Sequence, residues 1–478
     1  MPVRPVATCL AICAVLLTTA QAADDPSVAV LARIDARADA YAKAALQIWD
    51  WAELGFQESK SSALLQRQLA DAGFRMQVGV ADMPTGFIAE WGSGKPVIGI
   101  FGEFDALPGL SQRAVPERAP VAEGGPGHAC GHHTFGVASA AAAIAVKEWL
   151  EQTKTPGTIR YYGSPAEEGG GGKVFMIRDG FLEDVDTVIA WHPGDRNAAN
   201  ASSSLAMISA RFRFKGISAH AAAAPERGRS ALDGLEAMNY MVNMMREHVP
   251  QETRMHYAIF KGGQAPNVVP DYAEAEYVIR HPDMRVLEGI WERVVEASKG
   301  AAMGTGTTVE HEVISAYWNI LPNETLSRAQ YRNLERVGGY RMTADEVAFA
   351  EKLRATMPDA RLPIGSQEGI QPFTVGGAAA STDMGDVSWV VPTVQMSAAI
   401  FVPGIPAHSW QATASGGTTI AMKGMMVAAK TMTLTAMDLY RDPALIAKAR
   451  AEFDQKTGPG FTWRTRVGTR RPPYDFRK

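Results

Sequence analysis

The stretch "KPVIGIFGEFDALPG", residues 95–109, decides the class of fold, because it joins a buried strand to a pair of acidic side chains. Its apolar run at 97–101 lies between turn-forming residues, which predicts a strand in the interior of a sheet. Glu103 and Asp105 follow this strand directly. Ligand-binding and catalytic groups of open α/β sheets collect at the carboxyl ends of the strands, so we expect a site at this edge.

Two further segments repeat the pattern. We predict strands at 158–162 in "GTIRYYGSPAEEGGGG" and at 187–191 in "DTVIAWHPGD", with an alanine-rich helix at 134–152 before the first of them. The alternation of strands and helices predicts an α/β fold with parallel strands. After residue 322 the α/β pattern of strands and helices resumes. We predict a helix that begins with a capping box at Thr343 and Glu346, a strand at 386–397 and a helix at 416–432.

The chain between these two α/β parts has a different texture. Residues 204–316 read as strand, helix, strand, strand, helix and strand, which suits a small α+β sheet with helices on one face. We therefore predict a signal peptide at 1–22 and an α/β catalytic domain in two parts, at 23–203 and 317–478. The inserted domain lies between these two parts, at 204–316. The Arg-rich tail after residue 458 is expected to wrap around the protein or to be partly disordered.

Composition narrows the partners and the compartment. The chain has 478 residues, which favours more than one core, and its net charge of −4 gives no reason to expect nucleic acid or an anionic membrane as a partner. Arg4, the apolar run at 6–17 and Ala20-x-Ala22 predict a secretory signal cleaved after Ala22, and hence a secreted or periplasmic protein with no membrane anchor. Cleavage leaves Cys130 as the sole cysteine, so the mature chain cannot form an internal disulfide.

The stretch "GHACGHHTFG", residues 127–136, then allows three interpretations: metal binding, a thiol nucleophile or packing. Metal binding uses the most residues, since five candidate ligands follow predicted strands or lie in this stretch and in "GIPAHSW": Cys130, His132, Glu168, His192 and His408. Two divalent cations could share the cysteine as a bridge, and mixed sulfur, nitrogen and oxygen donors suit zinc best, with manganese or cobalt also possible. Glu167 would then stay free as a general base toward the attacking water.

Five motifs in this order resemble the dinuclear-metal aminoacylase and carboxypeptidase family: "GEFDALPG", "GHACGHHTFG", "GSPAEEGGGG", "AWHP" and "GGQAPNVVPDYAEAEYVIR". The likeness is strongest to its cysteine-ligand amidohydrolase branch, and within that branch to the p-aminobenzoyl-glutamate hydrolase B-subunit group. The resemblance covers residues 30–440. It implies a mixed-sheet, metallopeptidase-like catalytic domain with an inserted dimerisation domain that acts as a lid.

The resemblance also implies residue roles. Cys130 would bridge the two ions, Glu168 and His408 would complete one site, and His132 and His192 the other. Six further residues would have supporting or catalytic roles: Glu167 as general base, Asp105 and His133 behind the ligands, His220 as an oxyanion donor supplied across a dimer, and Asn267 and Arg280 on the substrate carboxylate.

This sequence departs from the family pattern in three places. His133 stands where the branch has an acidic or amide residue, and Glu103 stands where the peptidase branch has a histidine ligand. The predicted export signal also differs from the cytoplasmic location of the aminobenzoyl-glutamate group. It favours scavenging of external N-acyl amino acids or dipeptides over recovery of folate fragments.

Three hypotheses follow. The first is a metal-dependent amide hydrolase acting on small N-acyl or N-aroyl amino acids, as a homodimer or with a paralogous subunit. The second is a non-catalytic, metal-bound partner subunit of a paralogous hydrolase, against which the intact Glu167 counts. The third is a metal-free thiol hydrolase using Cys130 and His132, which would leave His408 without a role.

Overall fold

The computed structural model describes residues 26–357 and 359–475, so the predicted signal peptide lies outside the described residues. The strands are β1 (Arg75–Val78), β2 (Phe87–Ser93), β3 (Val97–Gly102), β4 (Gly157–Gly163), β5 (Thr187–Gly194), β6 (Ala201–Ser203), β7 (Ala206–Lys215), β8 (Arg254–Lys261), β9 (Tyr272–His281), β10 (Thr308–Tyr317), β11 (Val375–Ala378) and β12 (Thr393–Ala399). The helices are α1 (Pro26–Ala36), α2 (Ala38–Trp51), α3 (Ser59–Asp71), α4 (His132–Thr153), α5 (Gly172–Arg178), α6 (Ala231–Met244), α7 (Met284–Thr305), α8 (Glu324–Val337), α9 (Ala344–Arg354), α10 (Met384–Ser388), α11 (Trp410–Gly416), α12 (Thr419–Arg441) and α13 (Pro443–Thr457).

A six-stranded mixed sheet in the order β1-β2-β4-β3-β5-β12 forms the centre of the catalytic domain. The four strands β4, β3, β5 and β12 run parallel to one another, whereas β1 and β2 add an antiparallel edge. The carboxyl ends of the four parallel strands therefore meet at one edge of the sheet, and the segments that follow them can share a site. The predicted mixed α/β fold class is confirmed.

The central strands are apolar throughout because both faces of the sheet are covered. In β3, Ile98 and Ile100 face a core shared with α4 and α12, while Val97 and Phe101 face a second core shared with α5. All six residues of β3 are buried. This two-sided burial explains why a short apolar run at 97–101 predicted the strand correctly.

The inserted segment forms a separate four-stranded antiparallel sheet in the order β10-β7-β9-β8. Helices α6 and α7 pack side by side on it and enclose their own apolar core, with Phe212, Phe214 and Tyr277 fully buried. The strand and helix order agrees with the order expected from the sequence. Strand β8 lies at the sheet edge, and Ile259 and Phe260 on it are exposed.

One predicted element is wrong in its extent. The strand expected at 386–397 begins only at Thr393, and the residues before it form the short helix α10. Pro392 immediately before β12 has no N–H to donate to a ladder. The Asp386 carboxylate also holds this segment in place, since it accepts hydrogen bonds from the Trp318 backbone N–H at 3.0 Å and from Trp463 Nε1 at 2.9 Å.

The tail from 458 to 475 runs without helix or strand along both domains. Phe461 packs against Trp318 and Trp389, and Arg466 pairs with Glu288 of α7. The tail is thus a packed wrap, the first of the two alternatives expected from the sequence. Among the described residues, no helix is long and apolar enough to span a bilayer.

Candidate metal centre

The predicted ligands come from four separate segments that meet at the carboxyl edge of the central sheet. Cys130 and His132 flank the start of α4, Glu168 follows β4, and His192 lies near the end of β5. His408 comes from the loop between β12 and α11, where its backbone N–H donates to the Ala129 carbonyl at 2.9 Å. The fold therefore brings together side chains that are up to 278 residues apart in sequence.

These side chains form two groups that share Cys130. In one group the ligand atoms of Cys130, His132 and His192 lie within 4.8 Å of one another, and in the other the same holds for Cys130, Glu168 and His408. Cys130 Sγ is 3.6 Å from His192 Nε2, and His408 Nε2 is 3.1 Å from Glu168 Oε1. This is the arrangement that the ligand assignment from the sequence requires.

The hydrogen bonds behind the two histidines leave one ring nitrogen of each available for a metal. His132 Nδ1 donates to Asp105 Oδ1 at 2.9 Å, and His192 Nδ1 donates to the Pro193 carbonyl at 2.8 Å. His132 Nε2 is fully enclosed, and no described residue makes a well-aligned hydrogen bond to it. Asp105 also accepts the backbone N–H of Glu168 at 2.9 Å, so one carboxylate supports two candidate ligands. The nearest carboxylate oxygen to Nε2 is Glu103 Oε2, at 3.1 Å. The set of sulfur, nitrogen and oxygen donors fits divalent metal ions.

Uncommon backbone conformations occur next to several of these ligands. Gly131 has φ +81°, and a Cβ there would lie 2.5 Å from Ile400 Cδ1 and 2.7 Å from Pro193 Cβ. Ala166, immediately before Glu167, has φ +56°, and His408 has φ +61°, both uncommon for residues with a side chain. Strained backbone of this kind persists where the surrounding structure fixes it, and it is frequent at functional sites.

Burial and the charges around Cys130 weigh against the thiol interpretation. Burial, with Glu168 nearby, raises the pKa of the Cys130 thiol well above its ordinary value, so without a cation the sulfur keeps its proton. Burial, with a positive charge on the neighbouring His132, lowers the pKa of His192 to about 4 and keeps that imidazole neutral, as a ligand must be. Burial alone would lower the pKa of His132, but Cys130, Glu103 and Asp105 outweigh it and raise that pKa well above its ordinary value, so a metal ion would have to displace a proton from this ring. Burial would raise the pKa of Glu168, but the adjacent His408 and His132 outweigh it and hold the carboxylate ionised.

Glu167 is buried beside Glu168 and has a distinct environment. Burial raises its pKa well above the ordinary range, and the charges of Glu103 and Glu168 add to this. A carboxylate that exchanges a proton at neutral pH needs a raised pKa of this kind.

A cavity of about 390 Å³ opens beside the ligands and is lined by Cys130, Glu167, Glu168, His192 and His408 at one end. Its other walls are mostly small, uncharged side chains, among them Ser203, Asn323, Ser381, Thr382 and Gln395. Among the described residues that line it, none is lysine or arginine. The cavity therefore suits a neutral group of a substrate.

The residues predicted to bind or polarise the substrate are not all next to this cavity. Arg280 on β9 is half-buried, and its Nη1 donates to Ser381 Oγ in the cavity wall at 3.2 Å. His220 and Asn267 are exposed on neighbouring loops of the inserted domain, joined where the Ala221 N–H donates to the Asn267 carbonyl. His220 Nδ1 accepts the backbone N–H groups of Ala222 and Ala223, which leaves Nε2 carrying the proton and facing outward from that turn.

The two remaining histidines of the stretch lie away from the ligands. His128 Nε2 donates to the Ile48 carbonyl at 3.0 Å, and His133 Nε2 donates to the Gly416 carbonyl at 2.9 Å. Their rings pack 5.1 Å apart, and burial lowers the pKa of His133 to about 3. His128 is a packing residue, and His133 touches α11 instead of a candidate ligand. A supporting role for His133 stays a prediction.

Sequence reasoning missed a buried ion-pair group behind the site. Lys173, fully buried at the start of α5, lies 2.7 Å from Glu103 Oε1 and 2.6 Å from Asp383 Oδ1. Glu103 Oε2 in turn lies 3.1 Å from His132 Nε2. Glu58, also buried, accepts the backbone N–H of Ala166 at 2.9 Å. The lysine that ends the run of glycines after Glu168 was a visible but unused signal.

Comparisons with known proteins agree with this fold. A model of the peptidase dimerisation domain matches residues 204–304. Over 451 residues the chain is 42% identical to the B-subunit of p-aminobenzoyl-glutamate hydrolase from Escherichia coli (strain K12), covering 89% of this chain and 94% of that one. It is 30% identical over 440 residues to Xaa-Arg dipeptidase of Mus musculus, covering 89% and 91%. A Bacillus subtilis structure described as a dinuclear-metal-binding peptidase of the M20 family superposes with a TM-score of 0.57 at 17% identity, covering 85% of this chain and 99% of the other, and supports the fold alone.

The fold and the site define a hydrolytic enzyme of the metallopeptidase-like class. The chain belongs to the M20 family of peptidases and amidohydrolases, and the resemblance to the p-aminobenzoyl-glutamate hydrolase B-subunit group is confirmed over most of its length.

Proposed function

We propose that the chain hydrolyses the amide bond of N-acyl or N-aroyl amino acids, with p-aminobenzoyl-glutamate as the first substrate to test. The observation that carries this proposal is the pair of candidate ligand groups sharing Cys130, with Glu167, which belongs to neither group, lining the same cavity. The 42% identity to one of the subunits of a p-aminobenzoyl-glutamate hydrolase supports the substrate class.

The proposed cofactor is a pair of divalent ions, zinc best suited to the mixed donors and manganese or cobalt as alternatives. Cys130 would hold both ions, His132 and His192 one of them, and Glu168 and His408 the other. When bound, the ions would polarise the amide carbonyl and lower the pKa of a water molecule.

Glu167 would take the proton of the attacking water and deliver it to the leaving nitrogen. Its burial and its raised pKa support this role, because the same group must accept and then release a proton. Glu103 and Asp105 instead contact the two ring nitrogens of His132, at 3.1 Å and 2.9 Å.

The uncharged cavity would receive the acyl group, and the leaving amino acid would face the inserted domain. Arg280 supports this orientation, because its Nε is buried without a hydrogen-bond partner among the described residues and its Nη1 touches the cavity wall. A guanidinium group can bind a carboxylate through two parallel hydrogen bonds.

His220 would donate Nε2–H to the amide oxygen as negative charge develops there, and Asn267 would help to bind the carboxylate. Both side chains are exposed in the single chain, and neither is among the described residues that line its cavity. We therefore propose that they reach the cavity of a partner subunit in a homodimer or in a pair with a paralogous chain. Export by the predicted signal peptide would place this activity outside the cytoplasm.

The test is hydrolysis by the purified chain alone of aminobenzoyl-glutamate beside acetyl- and benzoyl-amino acids and an Xaa-Arg dipeptide. Turnover that a chelator abolishes and a divalent ion restores is expected, and Glu167→Gln should keep its metal but lose about 10² to 10⁴-fold in kcat. Metal-bound wild-type protein that turns over none of these substrates would favour the non-catalytic partner subunit. Turnover that survives complete metal removal would favour the thiol hydrolase.

A mixing experiment tests the shared site. Glu167→Gln and His220→Ala are each expected to be nearly inactive, but a mixed dimer would hold one complete site with an intact base and an intact donor. Activity should reappear on subunit exchange. Its absence in verified mixed dimers would refute the contribution across the interface.

A further inference from the structure

Lys173 is the unexpected charge near this site. Its side chain has no solvent exposure, and lysine is almost never fully buried unless it is paired. Nζ lies 2.6 Å from Asp383 Oδ1 and 2.7 Å from Glu103 Oε1, and the Lys173 backbone N–H donates to Asp383 Oδ2 at 3.0 Å. The chain thus provides a cation fixed from both its backbone and its side chain.

Without this ammonium group, Glu103 could help to bind a metal ion outside the two groups that share Cys130. Besides the two groups that share Cys130, ligand atoms of Glu103, His132 and Glu167 also lie within 4.8 Å of one another. An ion held there would occupy the proposed base and would take a histidine away from the Cys130 sites. Selective binding at Cys130 therefore requires a feature that disfavours divalent ions at this third group.

The Lys173 ammonium group meets that need because it already balances Glu103. A positive charge 2.7 Å from one carboxylate oxygen repels a second cation at the same carboxylate, and in a buried site that repulsion is only weakly screened. Asp383 keeps the ammonium in position. The residues before it, Ala379 to Thr382, line the cavity, so the ion pair also anchors that wall.

We propose that Lys173 is a positioning residue that acts through Glu103: its ammonium group takes the place of a metal ion there, directs the divalent ions to the Cys130 sites and leaves Glu167 free. This inference rests on the proposed function for the role of Glu167. The prediction about where ions bind does not need turnover to be measured.

The experiment uses full-length protein stripped of metal and titrated with Co²⁺. Elemental analysis gives the ions bound per chain, and the near-ultraviolet thiolate-to-cobalt absorption reports ions bound to Cys130. For wild type we expect both ions to contribute to the thiolate band. An ion bound to wild type without that band would overturn the proposal, whatever the variants do.

Lys173→Met removes the charge and keeps the length of the side chain, and Lys173→Arg keeps the charge. In Lys173→Met we expect additional Co²⁺ binding without additional thiolate absorption, and a fall in kcat of about tenfold or more with KM changed by less than about threefold. Lys173→Arg should bind Co²⁺ like wild type. Lys147→Met, which removes a surface ion pair with Glu151 of the same 2.7 Å length, is the matched control.

Removal of one partner of a buried ion pair can prevent folding, so Lys173→Met with Asp383→Asn serves as a second variant that removes both charges. A folded variant with wild-type ion count, thiolate absorption and kcat would refute the role of Lys173. If wild type binds its ions at Cys130 but cleaves no acyl amino acid, the proposed function would be refuted. The proposal that Lys173 keeps ions away from the third group would then still stand.

Discussion

Asp105 offers the sharpest test of the candidate metal centre, because its two carboxylate oxygens accept hydrogen bonds from two different candidate ligands. Oδ1 accepts His132 Nδ1–H and Oδ2 accepts the Glu168 backbone N–H, both at 2.9 Å. Asp105→Asn keeps one acceptor oxygen and places an N–H group against the other donor. Asp105→Ala removes both acceptors.

The expected magnitudes follow from this count of contacts. Loss of one hydrogen bond behind a metal ligand typically costs about 10- to 100-fold in metal affinity. Asp105→Asn should therefore weaken metal binding by about 10- to 100-fold, and Asp105→Ala by about 10² to 10⁴-fold if the two losses add. Glu103 cannot compensate, because it lies at Nε2 of His132 and not at Nδ1.

The assay is competition of the purified protein with a chromophoric chelator for Zn²⁺, with circular dichroism to verify the fold. Asp179→Asn is a suitable control, since Asp179 is a surface acid paired with Arg178. Equal metal affinity of wild type, Asp105→Asn and Asp105→Ala would show that His132 and Glu168 do not need this support. It would also remove the reason for assigning Nε2 of His132 to the metal.

Three further predictions follow from the geometry. Cys130→Ser should lower the metal content measured by elemental analysis, because a neutral hydroxyl is a poor bridge between cations; unchanged content would exclude the bridging role. Gly131→Ala should lower the free energy of unfolding in urea by about 2 kcal/mol or more, through backbone strain and overlap with Ile400. Gly109→Ala, at φ +74° in open space, should lose only the strain energy, and equal losses in the two variants would contradict the packing argument. Burial raises the pKa of Asp386 to about 8, so the folded state binds more protons between about pH 4 and 8 and wild-type stability falls across that window. Asp386→Asn should therefore gain thermal stability relative to wild type from pH 5 to pH 9, and a difference in Tm independent of pH would show that Asp386 is ionised throughout.

The parts of the fold that the sequence predicts are those that carry a local signal. Strands β3 and β5 are buried on both faces, so each is a short apolar run between turns. Strand β1 has four residues, none of them buried, and exists because it pairs with β2, which no local pattern records. The strand predicted from residue 386 is wrong at its start for a similar reason. Trp318 and Trp463, both distant in sequence, donate hydrogen bonds to Asp386 and hold it in a helical turn.

The candidate site likewise has parts that a local sequence pattern predicts and parts that it does not. The position of Glu168 and His192 at this edge could be predicted because both lie at the ends of predicted strands, where chain direction already fixes the edge. Cys130, His132 and His408 lie outside the strand ends and were assigned from their motifs and from the family resemblance. The Lys173–Asp383 pair could not, since its partners are 210 residues apart and meet only when α5 packs against the loop before α10. Nor could the sequence tell that His133 turns toward Gly416 while its neighbour His132 turns toward Asp105.

The two domains hold their candidate functional groups in different ways. The catalytic domain gathers sulfur, imidazole and carboxylate groups on segments that follow buried parallel strands, which hold ligand atoms in place with little freedom. The inserted domain presents His220 and Asn267 on exposed loops, and there the His220 tautomer is fixed by two backbone N–H groups of its own turn. A donor organised locally in this way does not depend on the catalytic domain of its own chain for its geometry. In the proposed dimer, a partner subunit would therefore deliver His220 already oriented, and the approach of its loop would not require a new hydrogen-bond network.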